Sequence, residues 1–242
     1  TCALPIYLSG STVEAANAKT FAVFSGHEAA GMPHEDGSCC SDHLEEQMFP
    51  TATWGKRFAV ARSQTRIGEA DVLRIVAQRD NTVVTTDPVI VGCPTLATGE
   101  FCDLDMSSDV EVSATEPILV AHFLKSVNSR TAPATGDPSM ALTVPTEQFR
   151  SNYSFLVPDA YEEQYISVVA ITGQALSLDG VEVSGQLTSF ASGAYSGARI
   201  LVQPGSHVLN CASGCGLEVY GYSDSVSYLF AGGLNLEPIV VD

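Results

Sequence analysis

Apolar residues along the chain alternate with polar ones in short runs, and helical periodicity is almost absent. Representative runs are KRFAVAR (56–62), DVLRIVAQ (71–78), DVEVSA (109–114) and YISVVAITG (165–173). Gly, Pro, Asn, Asp and Ser separate these runs. Alternation with a period of two indicates strands, and many short strands with frequent turn signals are typical of a sandwich or barrel. The pattern therefore predicts an all-β fold.

Two local signals refine this prediction. The segment LDGV (178–181) contains the Asp-Gly pair that favours a tight type I′ hairpin. The segment SDHLEEQM (41–48) is the helix candidate, because Ser41 or Asp42 can cap it and Glu45 or Glu46 can complete a capping box. We therefore expect a short helix inside the 37–53 loop.

An internal repeat is visible when the strand runs are superimposed. Segments 10–26, 107–124 and 205–223 each contain a polar alternating strand, a small polar turn and an apolar strand, and 73–92 resembles 165–185. We therefore predict two packed β-sandwich units of jelly-roll-like form. The predicted limits are 1–59 for the end of a preceding repeat with a disulfide loop, 60–126 for the first unit, 127–150 for a crossover loop and 151–242 for the second unit. The N-terminal piece suggests a third unit whose start is missing, and hence a longer parent protein.

Composition narrows the classes of function. The chain has 242 residues, of which 45% are hydrophobic, so a core can form without a cofactor or metal. Eleven Lys and Arg stand against 28 Asp and Glu, a formal net charge of −17. Such a charge repels phosphate backbones and anionic lipids, which argues against nucleic-acid partners. No apolar run approaches the roughly 20 residues of a membrane helix, which argues against membrane insertion.

The seven cysteines favour disulfides over a metal site, because they form no CxxC motif. Cys93 and Cys102 bracket one turn-like segment, and Cys211 and Cys215 bracket another, so each pair is expected to form a local disulfide. Cys2 can pair with Cys39 or with Cys40, which leaves one thiol over. Disulfides persist in oxidising compartments, so the pattern indicates an extracellular or cell-surface protein.

Several motifs occur in a fixed order between about Thr20 and Leu236: CSDHLEEQMFPTATWGKRFAV, GDPSMALTVPTEQF, YSFLVPDAYEEQYISVVA, LDGVEV and VYGYSDSVSYLFAGGLNL. In combination they resemble the N-terminal domain of the IgG Fc-binding protein family, which includes a mucus-associated secreted protein and domains of large bacterial surface and secreted proteins. The resemblance implies an extracellular, non-enzymatic module for adhesion or binding, here from a bacterial surface or secreted protein. The chain departs from the family motif in having Cys39, Cys40 and Ser41 where one cysteine is expected directly before Asp-His.

The acidic stretch after the vicinal cysteines is the candidate metal site. Asp42, Glu45 and Glu46 would share one face of the predicted helix, and their oxygen ligands would favour Ca²⁺. The alternative is a capped, solvated helix. The spacing matches neither HExxH nor an EF-hand loop, and no GxSxG motif occurs, so we expect no enzyme activity and no required cofactor.

Aromatic residues are the candidate ligand contacts. Tyr220 and Tyr222 alternate along one strand, and Tyr228 follows nearby, so they could form a platform that stacks on sugars or contacts a protein. Core packing is the alternative reading, and Trp54 is expected to anchor the 37–53 loop or to contact a ligand. The sequence as a whole favours an extracellular adhesion module that binds a protein or a glycan. A structural spacer, assembled as a homo-oligomer within a fibre, and a metal-dependent hydrolase are the alternatives.

Overall fold

The computed structural model describes residues 8–16, 19–32, 41–126 and 135–239, and it confirms the predicted all-β fold. Strands make up 54% of the described residues and short 3-10 turns about 6%. All strand ladders among the described residues are antiparallel. Antiparallel pairing needs only short connections, which agrees with the frequent turn residues in the sequence.

The strands form a hairpin and two larger sheets. The hairpin contains β1 (Phe24–Ala30) and β2 (Asp42–Gln47). The first sheet contains β3 (Gly55–Val60), β4 (Asp71–Ala77), β5 (Val84–Asp87), β6 (Phe101–Met106), β7 (Val110–Leu124) and β8 (Ser139–Leu142). The second sheet contains β9 (Arg150–Val157), β10 (Glu163–Ile171), β11 (Leu176–Leu178), β12 (Val181–Glu182), β13 (Thr188–Phe190), β14 (Tyr195–Leu201), β15 (Gly205–Ser223) and β16 (Val226–Ala231).

One long strand organises each sheet. In the first sheet, the N-terminal part of β7 pairs with β3 and β5, and its C-terminal part pairs with β4 and β8. In the second sheet, β15 pairs in the same way with β9 and β11 and then with β10 and β16. The remaining neighbours also correspond, since β4 pairs with β6 and β10 pairs with β14. Positions in one sheet can therefore be matched with positions in the other.

Each sheet covers a core of its own. In the first sheet, one apolar cluster contains Phe58 and Val112 from the β3 side and Ile75 and Val120 from the β4 side. Both parts of β7 therefore cover the same core, as in a sandwich. A separate apolar cluster forms the core of the second sheet. Phe155 and Leu209 lie on one side of this core and residues of β10 lie on the other.

Three further clusters lie between these layers. Leu44 of the hairpin packs on Phe123 and Leu142, on the outer face of the first sheet. Leu124 and Ala141 of the first sheet pack on the outer face of the second, and a small cluster centred on Val169 joins the two sheets nearby. The hairpin, the first sheet and the second sheet thus stack in chain order. Strand β8 lies inside segment 127–150, and it pairs with β7 as part of the first sheet.

The helix expected over 41–48 is wrong, because residues Asp42–Gln47 form strand β2. Leu44 is buried in the cluster against the first sheet, whereas His43 and Glu45 on either side are exposed. This alternation suits a strand, and pairing with β1 satisfies the backbone groups that a helix would have satisfied internally. The helical structure described within 37–53 is a single 3-10 turn over Thr51–Thr53.

The Asp-Gly hairpin is found where the sequence predicts it. Strands β11 and β12 pair directly on either side of Asp179 and Gly180. Both residues have positive φ, 53° and 80°, as a type I′ turn requires. Asp179 tolerates this conformation because its carboxylate accepts a hydrogen bond from the Val208 amide at 2.8 Å, which also ties the hairpin to β15.

Candidate interaction surface

A buried charged cluster joins the two sheets. His122 on β7 lies between two carboxylates: its Nε2 is 2.9 Å from Asp71 Oδ2 on β4, and its Nδ1 is 2.8 Å from Glu218 Oε2 on β15. All three side chains are buried. Because both ring nitrogens face carboxylate oxygens, both act as donors and the ring is an imidazolium. A single cation therefore holds carboxylates of two different sheets.

The charges in this cluster depend on one another. Burial by itself would lower the pKa of His122, but the charge of Glu218 and the hydrogen bonds to both carboxylates outweigh it and raise the pKa to about 10. Burial would raise the pKa of Asp71, yet the hydrogen bond and charge of His122 and two bonds from Ser63 lower it. His122 and Asp71 are therefore both ionised at neutral pH, and their contacts outweigh the effect of burial on the pKa of each group.

Neighbouring polar groups complete the cluster. The Ser63 amide and hydroxyl donate to Asp71 at 2.6 and 2.8 Å, and the Thr143 hydroxyl donates to Glu218 Oε1 at 3.2 Å. A cavity of about 20 Å³ lies beside Thr143 and Glu218, which is room for about one water molecule. The Asp-His-Glu arrangement resembles a catalytic constellation in composition, but all three residues are buried between the sheets. Through His122 and Glu218 it links the first sheet to the second.

A second ionic contact joins the sheets nearby. Arg199 on β14 pairs with Asp109 and donates from Nε to the Arg62 carbonyl at 2.7 Å. The Arg62 amide in turn donates to Asp109 at 3.0 Å. Since these contacts accompany the buried cluster, the interface between the sheets is both apolar and ionic. Such an interface fixes the relative position of the sheets more narrowly than apolar packing does.

The cluster could not be found from sequence spacing. His122 is 51 residues from Asp71 and 96 residues from Glu218. The available signal is an ionisable residue in each of three largely apolar or aromatic runs: Asp71 at the start of DVLRIVA, which also contains Arg74, His122 in ILVAHFL and Glu218 in GLEVYGY. Buried ionisable residues need partners, so such runs indicate that partners exist without saying which.

The aromatic residues predicted to contact a ligand lie in different environments in the structure. Tyr220 and Tyr222 are fully buried between the sheets; the Tyr220 hydroxyl accepts from the Gln64 amide at 2.9 Å, and the Tyr222 hydroxyl donates to the Gln64 carbonyl at 3.1 Å. Both phenols are thus engaged inside the interface and are closed to a ligand. Trp54 is half-buried against the cluster under the hairpin and donates from Nε1 to the Phe49 carbonyl at 3.2 Å.

Tyr228, like Trp54, is partly exposed at the surface. It is half-buried on β16, 4.6 Å from Tyr161 and 5.9 Å from Phe230 between ring centroids. Its hydroxyl donates to Gln164 Oε1 at 2.7 Å. Tyr161 and Phe230 are also half-buried, so the three rings form a partly exposed aromatic cluster at one end of the second sheet. Aromatic groups of this kind are enriched in protein interfaces.

A second exposed surface lies on the outer side of β9 and the N-terminal part of β15. Leu156 is paired with Ser206, and Val208 is paired with Ser154 on the same face. All four side chains are exposed, whereas the alternate residues Phe155 and Leu209 point into the core. Arg150, at the opposite end of β9 from Leu156, is the charged side chain on this face of the two strands, and the paired residues around Leu156 and Val208 are uncharged.

The predicted acidic ligands do not form one set. Because side chains alternate along a strand, Asp42 and Glu46 point to one side of β2 and Glu45 points to the other. Burial raises the pKa of Glu46 to about 7, against a weaker opposing effect of its backbone hydrogen bond. Among the residues that the structure describes, no group of three His, Cys, Asp or Glu side chains is placed to hold a metal ion.

Two of the predicted disulfides are confirmed, Cys93–Cys102 and Cys211–Cys215. The predicted pairing of Cys2 with Cys39 or Cys40 lies outside the described residues. The first bridge joins the segment before β6 to β6 itself, and the second closes a short loop within β15. Both bridges fit an oxidising environment. In the described part of the chain, no helix is long and apolar enough to cross a membrane.

Comparison with known proteins identifies the family. The family model described as IgGFc binding protein matches residues 6–221, which include most of both sheets. A search of curated proteins found no match, and a search of solved structures found none. The match spans the hairpin, the first sheet and the second sheet to the C-terminal part of β15. The chain therefore belongs to the IgGFc binding protein family.

Proposed function

We propose that this chain is an extracellular module that mediates adhesion by binding another protein, without catalysis. The membership in a family of binding proteins carries this proposal. Two disulfides in a rigid β framework support an extracellular setting. The charged cluster with the most catalytic composition is buried between the sheets and acts as an ionic link.

The exposed surfaces favour a protein ligand over a glycan. A protein interface of standard size covers about 800 Å² on each partner and has an apolar centre with a polar rim. The outer face with Leu156 and Val208 and the aromatic cluster around Tyr228 provide apolar groups of that kind. A sugar site would instead need a concave pocket with convergent polar groups.

Direct binding measurements test the proposal. The folded chain is immobilised and exposed to the Fc fragment of immunoglobulin G, to a panel of purified secreted proteins and to a glycan array. We expect saturable binding of at least one protein with a dissociation constant of about 1 μM or tighter, which corresponds to about 8 kcal/mol. If a chain that melts cooperatively binds no protein up to about 100 μM, or binds glycans only, the proposal is wrong.

The recurrence of the same ladders in both sheets favours a second candidate, a structural spacer within a fibre or stalk. Stacked β units make a stiff rod because each contacts its neighbours through a fixed interface. A spacer would show concentration-dependent self-association in sedimentation experiments and no binding to the protein panel. An adhesion module would show the reverse.

A further inference from the structure

The shared ladders match one exposed residue to one buried residue. In the first sheet the last pair between β3 and β7 is Val60↔Val110, and in the second sheet the last pair between β9 and β15 is Val157↔Gly205. Val60 and Val157 are therefore equivalent positions. The residues that precede them also correspond, so Ala59 of the first sheet is matched by Leu156 of the second.

These equivalent positions have opposite environments. Ala59 is 4% exposed because Val169, Phe190 and Tyr195 of the second sheet cover it. Leu156 is 64% exposed, and Val208 on the same face is 43% exposed. The first sheet thus buries this part of its outer face under the next sheet, and the second sheet presents the same part to solvent with a larger apolar residue.

The ends of the long strands show the same relation. His122 pairs with Ala141 in the first sheet, and both meet the second sheet. The pair His122↔Ala141 lies two pairs before the end of the β7–β8 ladder. In the second sheet, the pair two before the end of the β15–β16 ladder is Gly221↔Tyr228, so these two residues are the counterparts. A Cβ on Gly221 would lie 2.6 Å from the Tyr228 ring, so glycine is what lets this ring lie across the strand. The C-terminal end of β7 therefore carries an ionic link to the next sheet, whereas the equivalent end of β15 carries a partly exposed aromatic surface.

The two exposed parts are linked through the end of β9. The side-chain nitrogen of Gln164 donates to the Pro158 carbonyl, two residues beyond Leu156, and its oxygen accepts from Tyr228. Gln164 therefore connects the aromatic cluster to the end of the strand that carries Leu156. We call the combined surface the distal face. Its apolar members are Leu156, Val208, Tyr161, Tyr228 and Phe230.

Charge around the distal face is mainly negative, although Arg150 lies at the far end of β9 and His207 on β15 pairs with Asp179. Arg199 is the one Lys or Arg after Arg150 in the sequence, and it is paired with Asp109 at the opposite, inter-sheet side. Exposed carboxylates flank the distal face in the loop after β9, at the start of β10, in the β11–β12 turn and in the β15–β16 turn. They are Asp159, Glu162, Glu163, Asp179 and Asp224.

We propose that the distal face docks a folded protein partner whose own surface has an apolar centre ringed by Lys and Arg. An apolar centre matches the exposed Leu156, Val208 and aromatic rings, and basic residues match the acidic rim. A second copy of this chain fits poorly, since its net charge of −17 would place like charges across the contact. This inference rests on the proposed protein-binding function and assigns it a location and a partner chemistry.

Two matched double variants test the inference. L156K/V208K places two cations on the distal face, and V89K/V91K places two cations at valines that are 82% and 86% exposed on the first sheet's segment after β5. Both variants change the net charge equally and alter exposed side chains, so both are expected to fold. Binding is measured by interferometry against a panel with equal numbers of basic and acidic secreted proteins, at low and high salt.

We expect the wild-type chain to bind mainly basic members of the panel and to bind them more weakly at high salt. L156K/V208K should weaken that binding by about tenfold or more, and V89K/V91K by less than about twofold. Equal weakening by both variants would mean that only net charge matters, and no weakening by L156K/V208K would place the site elsewhere. Either result overturns the inference and leaves the proposed function standing.

Two further outcomes are distinguishable. If no protein in the panel binds, the proposed function itself is contradicted and the distal-face inference falls with it. Sedimentation of the wild-type chain tests whether a second copy of the chain binds to the distal face. A wild-type dimer that L156K/V208K dissociates would show that a second copy covers the distal face, which contradicts a basic partner.

Discussion

His122 on the first sheet and Glu218 on the second are joined by a 2.8 Å contact between Nδ1 and Oε2, deep in the interface between the sheets. The same imidazole contacts Asp71 on its other side. The cation thus belongs to a three-member cluster that neither sheet can complete without the other.

Removing the cation should destabilise the protein strongly. His122→Asn leaves Asp71 and Glu218 buried with no cation between them, and breaking a buried ion pair costs about 3–5 kcal/mol. Urea unfolding followed by circular dichroism measures the loss. His43→Asn is the matched control, because His43 is exposed on β2 and should change the free energy of unfolding by less than about 0.5 kcal/mol. Similar effects of both substitutions would argue against the ionic link.

The same cluster should make stability fall at alkaline pH. The pKa of His122 is about 10 in the folded chain and near 6.5 when unfolded, so the folded state holds its proton more tightly. Its stabilisation is complete below about pH 6.5 and is lost as the pH rises through about 10. We expect the melting temperature to fall across this interval in the wild-type chain. The slope should be smaller in His122→Asn, and an unchanged slope would contradict the assignment.

Glu46 should oppose stability above neutral pH. Burial raises the pKa of its carboxyl from 4.5 to about 7, so the folded state favours the neutral form. Below about pH 4.5 the carboxyl is protonated in both the folded and the unfolded chain, so it costs no stability. As the pH rises through about 7, the folded chain loses stability, because the unfolded chain ionises this carboxyl more easily. Glu46→Gln should therefore raise the melting temperature at pH 8 and change it little at pH 4. Glu45→Gln, at the exposed neighbour, provides the comparison and should have little effect at either pH.

The two disulfides should differ in what they contribute. In the chain-entropy treatment, closing the loop between Cys93 and Cys102 stabilises by about 3 kcal/mol and closing the shorter loop between Cys211 and Cys215 by about 2 kcal/mol. Unfolding of C93A/C102A and C211A/C215A under oxidising conditions measures both losses. Reductant should then change each variant less than it changes the wild-type chain. A larger loss from the shorter loop would show that packing around the sulfurs outweighs loop closure.

Much of the fold is predictable from local patterns, because strands and turns are encoded by neighbouring residues. Alternation in DVLRIVA predicts β4, and the Asp179-Gly180 pair predicts the β11–β12 hairpin. The two local disulfides follow from cysteine spacing. Segment 41–48 shows the limit: its residues suit a helix cap, yet pairing with β1 and burial of Leu44 make it a strand.

The sequence by itself determined the all-β class, the family and the acidic charge, since these depend on composition, periodicity and ordered motifs. The tertiary structure decided which residues meet. Asp71, His122 and Glu218 are distant in the chain, and only the stacking of two sheets places them within hydrogen-bonding distance. The packing of the sheets also decides that Tyr220 is buried and that Leu156 is exposed. A side chain's position on its strand is local, but whether that face is covered depends on the sheet that packs against it.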